Sequence, residues 1–167
     1  MRSAPPHKLI LSLCVWGVLA GCGARIPPAL ATQVSRGVGF PEIRRQPEAY
    51  AGRIVALGGI VARIDAVDEG YRVLVSELPL DGSGRHRPAV DQPPRGLFMV
   101  HIPRHRLPQD LRPGAELTVV GEMLGKAAAP GTGGAEEVPL LDERYMQVWG
   151  SSWWPRIQIG IWGGIPI

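Results

Sequence analysis

The sequence predicts a small all-β protein built around one five-stranded barrel. Three observations carry this prediction. Five short runs rich in Val, Ile and Leu alternate well enough for strands, and Gly- or Pro-rich turns separate them. The first run holds a glycine pair, Gly58-Gly59, of the kind that marks a bulge or a sharp bend inside a strand. Between the chain ends lies a body of roughly 110 residues, the size of one small domain.

The body begins near Phe40. Pro41 to Tyr50 reads as a short helix or turn, interrupted by Pro47 and ended by Gly52. Arg53 to Ile64 is the first strand, with Asp68-Glu69-Gly70 as the turn into Tyr71 to Leu78, the return strand of a hairpin. Pro79 to Arg95 is a polar, proline-rich loop before a third strand, Gly96 to Ile102. Pro103 to Pro113 is irregular, and Ala115 to Leu124 is the fourth strand. Gly125 to Glu137 reads as a flexible loop, and Val138 to Trp149 as the fifth strand, with a break expected at Asp142-Glu143. An OB-like fold fits this series best, a Greek-key barrel whose bent first strand closes the sheet. A sandwich stays open as the alternative, although seven strands are hard to find, and a transmembrane barrel needs more strands and fewer loops.

The N-terminus carries a different signal. Arg2 and Lys8 precede an apolar stretch, Leu9 to Ala20, which is too short to span a bilayer comfortably. Small residues then lead into a cysteine, Leu19-Ala20-Gly21-Cys22. This order is similar to a bacterial lipoprotein signal over residues 1–21, cut between Gly21 and Cys22. The new terminus would carry a diacylglycerol thioether and an N-acyl chain on Cys22. One acyl chain holds a membrane marginally, whereas several make attachment effectively permanent. Gly23 stands where Asp commonly retains such proteins in the inner membrane, which by resemblance to enterobacterial sorting favours the outer one. Residues 22–39, with Pro27-Pro28 and no sustained apolar period, read as a flexible lipidated tether. Fully extended, Gly23 to Gly39 would span about 55–60 Å.

Removing the signal changes the bulk properties. The net charge of +3 loses Arg2 and Lys8 and becomes about +1, so the pI of 9.2 is weak evidence for a nucleic-acid partner. Cys14 leaves with the signal and Cys22 is lipidated, which leaves no thiol for catalysis, zinc binding or a disulfide.

The body also resembles a known family. Pro47, Tyr50 and Gly52 precede Val55-Ala56-Leu57-Gly58-Gly59-Ile60. Glu77-Leu78-Pro79-Leu80-Asp81, Gly96-Leu97-Phe98, Leu107-Pro108 and Gly114 follow, the last leading into Leu117-Thr118-Val119-Val120-Gly121. Val138-Pro139-Leu140 and Val148-Trp149 close the series. From Cys22 to about Trp154 this is similar to the Slp family of starvation-inducible outer-membrane lipoproteins. The resemblance implies a lipid-anchored protein on the periplasmic face of the outer membrane, linked to starvation or envelope stress, with no established catalytic chemistry.

The residues themselves point to few sites. His101 and His105 have the four-residue spacing of helical metal ligands, but Pro103 lies between them. They read as two loosely held surface histidines, and His86 as a solvated one; no metal or cofactor is expected beyond the lipid. The acidic residues form no evident dyad, and Ser76, Ser83, Ser151 and Ser152 lack a nucleophile-elbow context. Gly131-Thr132-Gly133-Gly134 lacks the Lys and hydroxyl of a phosphate loop and reads as a hairpin tip. No enzyme activity is expected. Arg85, Arg87, Arg95, Arg104 and Arg106 fall in the two loops flanking the third strand, an arrangement that could meet an anionic or glycan envelope component. The expected partners are therefore the membrane, through the anchor, and an envelope protein, lipid or glycan. The tail, residues 155–167, is apolar but broken by Gly and Pro. Either Trp149 ends the last strand with Trp153-Trp154 capping the barrel, or the tail meets a membrane interface or a partner.

Overall fold

The computed structural model describes residues 26–82, 85–130 and 136–151. The signal, Cys22, the Gly131–Gly134 stretch, Trp153-Trp154 and the tail lie outside them.

Five strands, β1 (Ile54–Val67), β2 (Gly70–Leu78), β3 (Gly96–Pro103), β4 (Ala115–Ala128) and β5 (Glu137–Ser151), form a closed barrel in the order β1-β2-β3-β5-β4. All pairings are antiparallel except β3 with β5, which run parallel over Met99–His101 and Leu140–Asp142. The predicted barrel is thus observed, and β1 closes it. Its first half pairs with β4 while its second half pairs with β2, and Gly58 to Ile60 pair with both.

The inward faces follow the period of two. Val55, Leu57 and Val61, Val73 and Val75, Phe98, Val100 and Ile102, Leu117, Val119 and Met123, and Leu141 make one buried core. The helix Phe40–Arg45 closes one end, with Phe40 and Ile43 buried and the Phe40 ring 6.1 Å from that of Phe98. A turn of 3-10 helix, Pro47–Tyr50, follows it as expected. Leu107 and Leu111, from the β3–β4 connection, join the same core.

Several sequence expectations are corrected. Gly58-Gly59 is not a bulge: its pairing with Leu78 and Glu77 is regular, and the irregularity falls at Ala62. The glycines serve close approach instead. A Cβ on Gly59 would strike the backbone of Ser76 and the side chain of Val75, and one on Gly58 would strike Leu80 and Pro88 of the β2–β3 loop. β4 continues past Leu124 to Ala128, pairing with β5 as far as Glu137, so the expected loop from Gly125 is largely strand. β5 runs unbroken through Asp142-Glu143. It instead carries an extra residue at Arg144 and another at Trp149.

The described part of the predicted tether is partly docked. Pro28–Ala31 forms a helical turn, the Ser35 N–H donates to the Ile54 carbonyl at 2.8 Å, and Val38 packs on the core. No helix among the described residues is long and apolar enough to cross a membrane.

Candidate functional site

The loop arginines do not form one basic patch. Three of them serve as lids over nearly buried glutamates. The alternation Val73, Val75, Glu77 turns a carboxylate toward the barrel interior, where its side chain is 1 % exposed. Arg95 bonds both of its oxygens, Nε to Oε2 at 2.9 Å and Nη2 to Oε1. That hydrogen bond, followed by the nearby charge, raises the Arg95 pKa, with desolvation acting against it.

Glu143 shares the inward face of Leu141 and pairs with Gly121. Arg106 approaches its carboxylate at 3.3 Å and also donates to the carbonyls of Glu143 and Arg144. Burial pushes the Glu143 carboxyl above its ordinary range, Arg106 pulls it back, and neighbouring Asp142 adds to the rise. Arg104 donates to the Val67 carbonyl, which ties the short helix Arg104–Arg106 to the β1–β2 turn.

The third lid lies on the outer face of the barrel. Glu116 and Thr118 alternate with inward Ala115, Leu117 and Val119, yet each is only 1 % exposed. The β2–β3 loop covers them. It is cinched by the Leu80–Pro88 bridge and by the Asp81 N–H donating to the Arg87 carbonyl, and it places Arg87 Nε 2.9 Å from Glu116 Oε2. Thr118 donates to the carbonyl of His86, a residue held in the left-handed region at φ 57°. His86 is therefore half-buried and part of this clasp, where the sequence predicted a solvated side chain.

Beside that clasp Asp81, Arg85, Arg87 and Trp149 line a cleft of about 540 Å³. Trp149 is the extra residue of a β-bulge and precedes Gly150, whose φ is +97°. Its indole N–H donates to Thr118 Oγ1 at 2.9 Å. Of the five arginines predicted together, only Arg85 and Arg87 share this cleft.

Elsewhere a row across four strands sets Arg72, His101, Asp142 and Glu122 side by side. His101 Nδ1 lies 2.9 Å from Asp142 Oδ1, and Arg144 bonds Glu122 at 2.7 Å. His101 is thus a half-buried, hydrogen-bonded residue, not a loose surface histidine. Among the described residues no group of three or more His, Cys, Asp or Glu side chains is placed to hold a metal.

Sequence reasoning missed the glutamate partners and the cleft. The first had a readable signal, since a carboxylate in phase with Val73 and Val75 needs a buried partner. The cleft had none, because Asp81 and Trp149 lie 68 positions apart and meet only through the loop fold and the bulge.

The family model of the outer membrane lipoprotein Slp family covers residues 19–158. No curated protein matches the chain.

Proposed function

The chain belongs to the Slp family of outer membrane lipoproteins, and from that premise we propose that acyl chains on Cys22 anchor it to the periplasmic face of that membrane. There its OB-like barrel acts as a non-enzymatic structural or accessory module during envelope or starvation stress. The charged leader, the short apolar segment and the small residues before Cys22 support the anchor. One observation carries the structural role: Arg87, Arg95 and Arg106 each hold a nearly buried glutamate. Three of the five loop arginines are thus committed to fixing the loops themselves.

The test is mass spectrometry of the protein extracted from envelopes, beside a Cys22→Ala form, with fractionation of both. A lipid-sized mass and outer-membrane recovery for the wild type alone are expected. An unmodified wild type, or equal recovery of the variant, overturns the anchor. Loss of the gene should then sensitise starved cells to envelope stress, with rescue by the wild type and not by Cys22→Ala.

A second reading, binding of an envelope ligand, is favoured by the cleft at Trp149. Its lining sets an aromatic ring beside two arginines and an aspartate.

A further inference from the structure

We propose that the cleft between the β2–β3 loop and the end of β5 binds a saccharide, with the Trp149 ring as the platform for one pyranose unit. The inference rests on the second reading above and gives it a place and a ligand class.

Bulges re-aim side chains, and Trp149 is the extra residue of one. Its indole N–H is already satisfied by Thr118, so the polar edge of the ring is anchored and what the ring has left for a ligand in the cleft it lines is apolar contact. An indole face suits the C–H face of a pyranose ring. Hydroxyl groups around such a ring need both donors and acceptors. Arg85 and Arg87 supply the first and Asp81 the second.

The site is also preorganised. Glu116 holds Arg87 at Nε, and Asp81 Oδ1 accepts from the Arg87 N–H at 3.0 Å, so little side-chain freedom is lost on binding. Charge decides between ligand classes. Arg85 and Arg87 are balanced by Asp81 and Glu116, a neutral set that favours a polyhydroxylated ligand over a polyanion. The cleft volume of about 540 Å³ falls within the range of small-molecule sites.

The experiment titrates the mature lipoprotein with soluble chitohexaose, in a detergent without a sugar headgroup, by calorimetry and saturation-transfer NMR. Saturable binding is expected for the wild type. Trp149→Ala should weaken it about tenfold or more, and Trp149→Phe, which keeps a ring face, by only about threefold. Arg85→Ala, at an exposed position, should weaken binding and, with its fold checked by circular dichroism and urea denaturation, carries the test should Trp149→Ala not fold.

Equal binding by the wild type and both alanine variants would leave glycan binding standing but overturn this site. No binding of chitohexaose or of maltohexaose would overturn the site and the second reading together. Binding of pyrophosphate in their place, lost in Arg85→Ala, would make the cleft an anion site and overturn the saccharide assignment.

Discussion

Arg95 grips Glu77 twice over: its guanidinium bonds both carboxylate oxygens, and its backbone N–H donates to the Glu77 carbonyl at 3.1 Å. The residue that leads into β3 is thereby fastened to the end of β2, next to the Phe40 plug, where Arg44 also donates to the Arg95 carbonyl. A carboxylate on the inward face of a barrel would otherwise be strongly unfavourable. Arg95→Ala should therefore lose about 2–3 kcal/mol in urea denaturation, less than a fully buried pair because the guanidinium still meets water. The double variant Glu77→Leu/Arg95→Met should recover most of that loss, since apolar replacement of both partners removes the desolvation cost. A double variant as unstable as the single one would show that the pair contributes more than mutual compensation.

The neighbouring glycines should differ in tolerance. At Gly59 the obstacle to a Cβ is the backbone of Ser76, which cannot move without parting β1 from β2. At Gly58 it is the end of the Leu80 side chain, with the Pro88 ring at 3.2 Å. Gly59→Ala should lose about 3 kcal/mol or more, and Gly58→Ala about 1–2 kcal/mol. Adding Leu80→Ala should relieve the Gly58 variant and leave the Gly59 variant unchanged. Denaturation curves of the wild type, the three single variants and the two double variants decide this.

Thr118 joins the loop to Trp149 through a single hydroxyl. It donates to the His86 carbonyl at 2.5 Å and accepts from the indole N–H at 2.9 Å. Thr118→Val keeps the shape and leaves both partners unpaired, so a loss of about 1–3 kcal/mol is expected. Hydrogen exchange should quicken around Arg87 to Ala89 more than in β2 or β3. Uniform exchange across the barrel would mean that the loop is held by Leu80 and Pro88 instead.

What the sequence made legible was the part governed by local pattern. Val73-Leu74-Val75 and Phe98-Met99-Val100 announce strands as short apolar runs, buried on both faces of the sheet, and Asp68-Glu69-Gly70 announces the hairpin between β1 and β2. The bulges at Ala62, Leu124, Arg144 and Trp149 were not legible, because each is set by the partner strand. Leu124 shows the consequence: as an extra residue it is turned outward and left 51 % exposed, although its identity suggests core. The loop arginines were read as ligand contacts because their count and clustering are visible in sequence, while the buried glutamates that claim them lie 18 to 37 positions away.

Glu143 should give the barrel a pH dependence opposite in sign to ordinary acid denaturation. Burial raises its carboxyl pKa above the value in the unfolded chain, with Arg106 opposing and Asp142 adding to the rise; Arg144 and His105 also oppose it. Between the ordinary glutamate value and the raised one, the folded state holds more protons than the unfolded state. The contribution of this group to stability is therefore greatest in acid and diminishes as pH rises through that window. Above the raised value the full penalty of a buried charge is present. Glu143→Gln keeps the side-chain shape and the carbonyl that Arg106 bonds, and removes the titration. Its stability relative to the wild type should be higher at pH 7 than at pH 4, measured by urea denaturation at the two values, which cancels the other carboxylates common to both proteins. A difference that does not change with pH would mean that Arg106 fully offsets the burial. A change in the opposite direction would place the Glu143 carboxyl below its ordinary range, with Arg106 as the dominant influence.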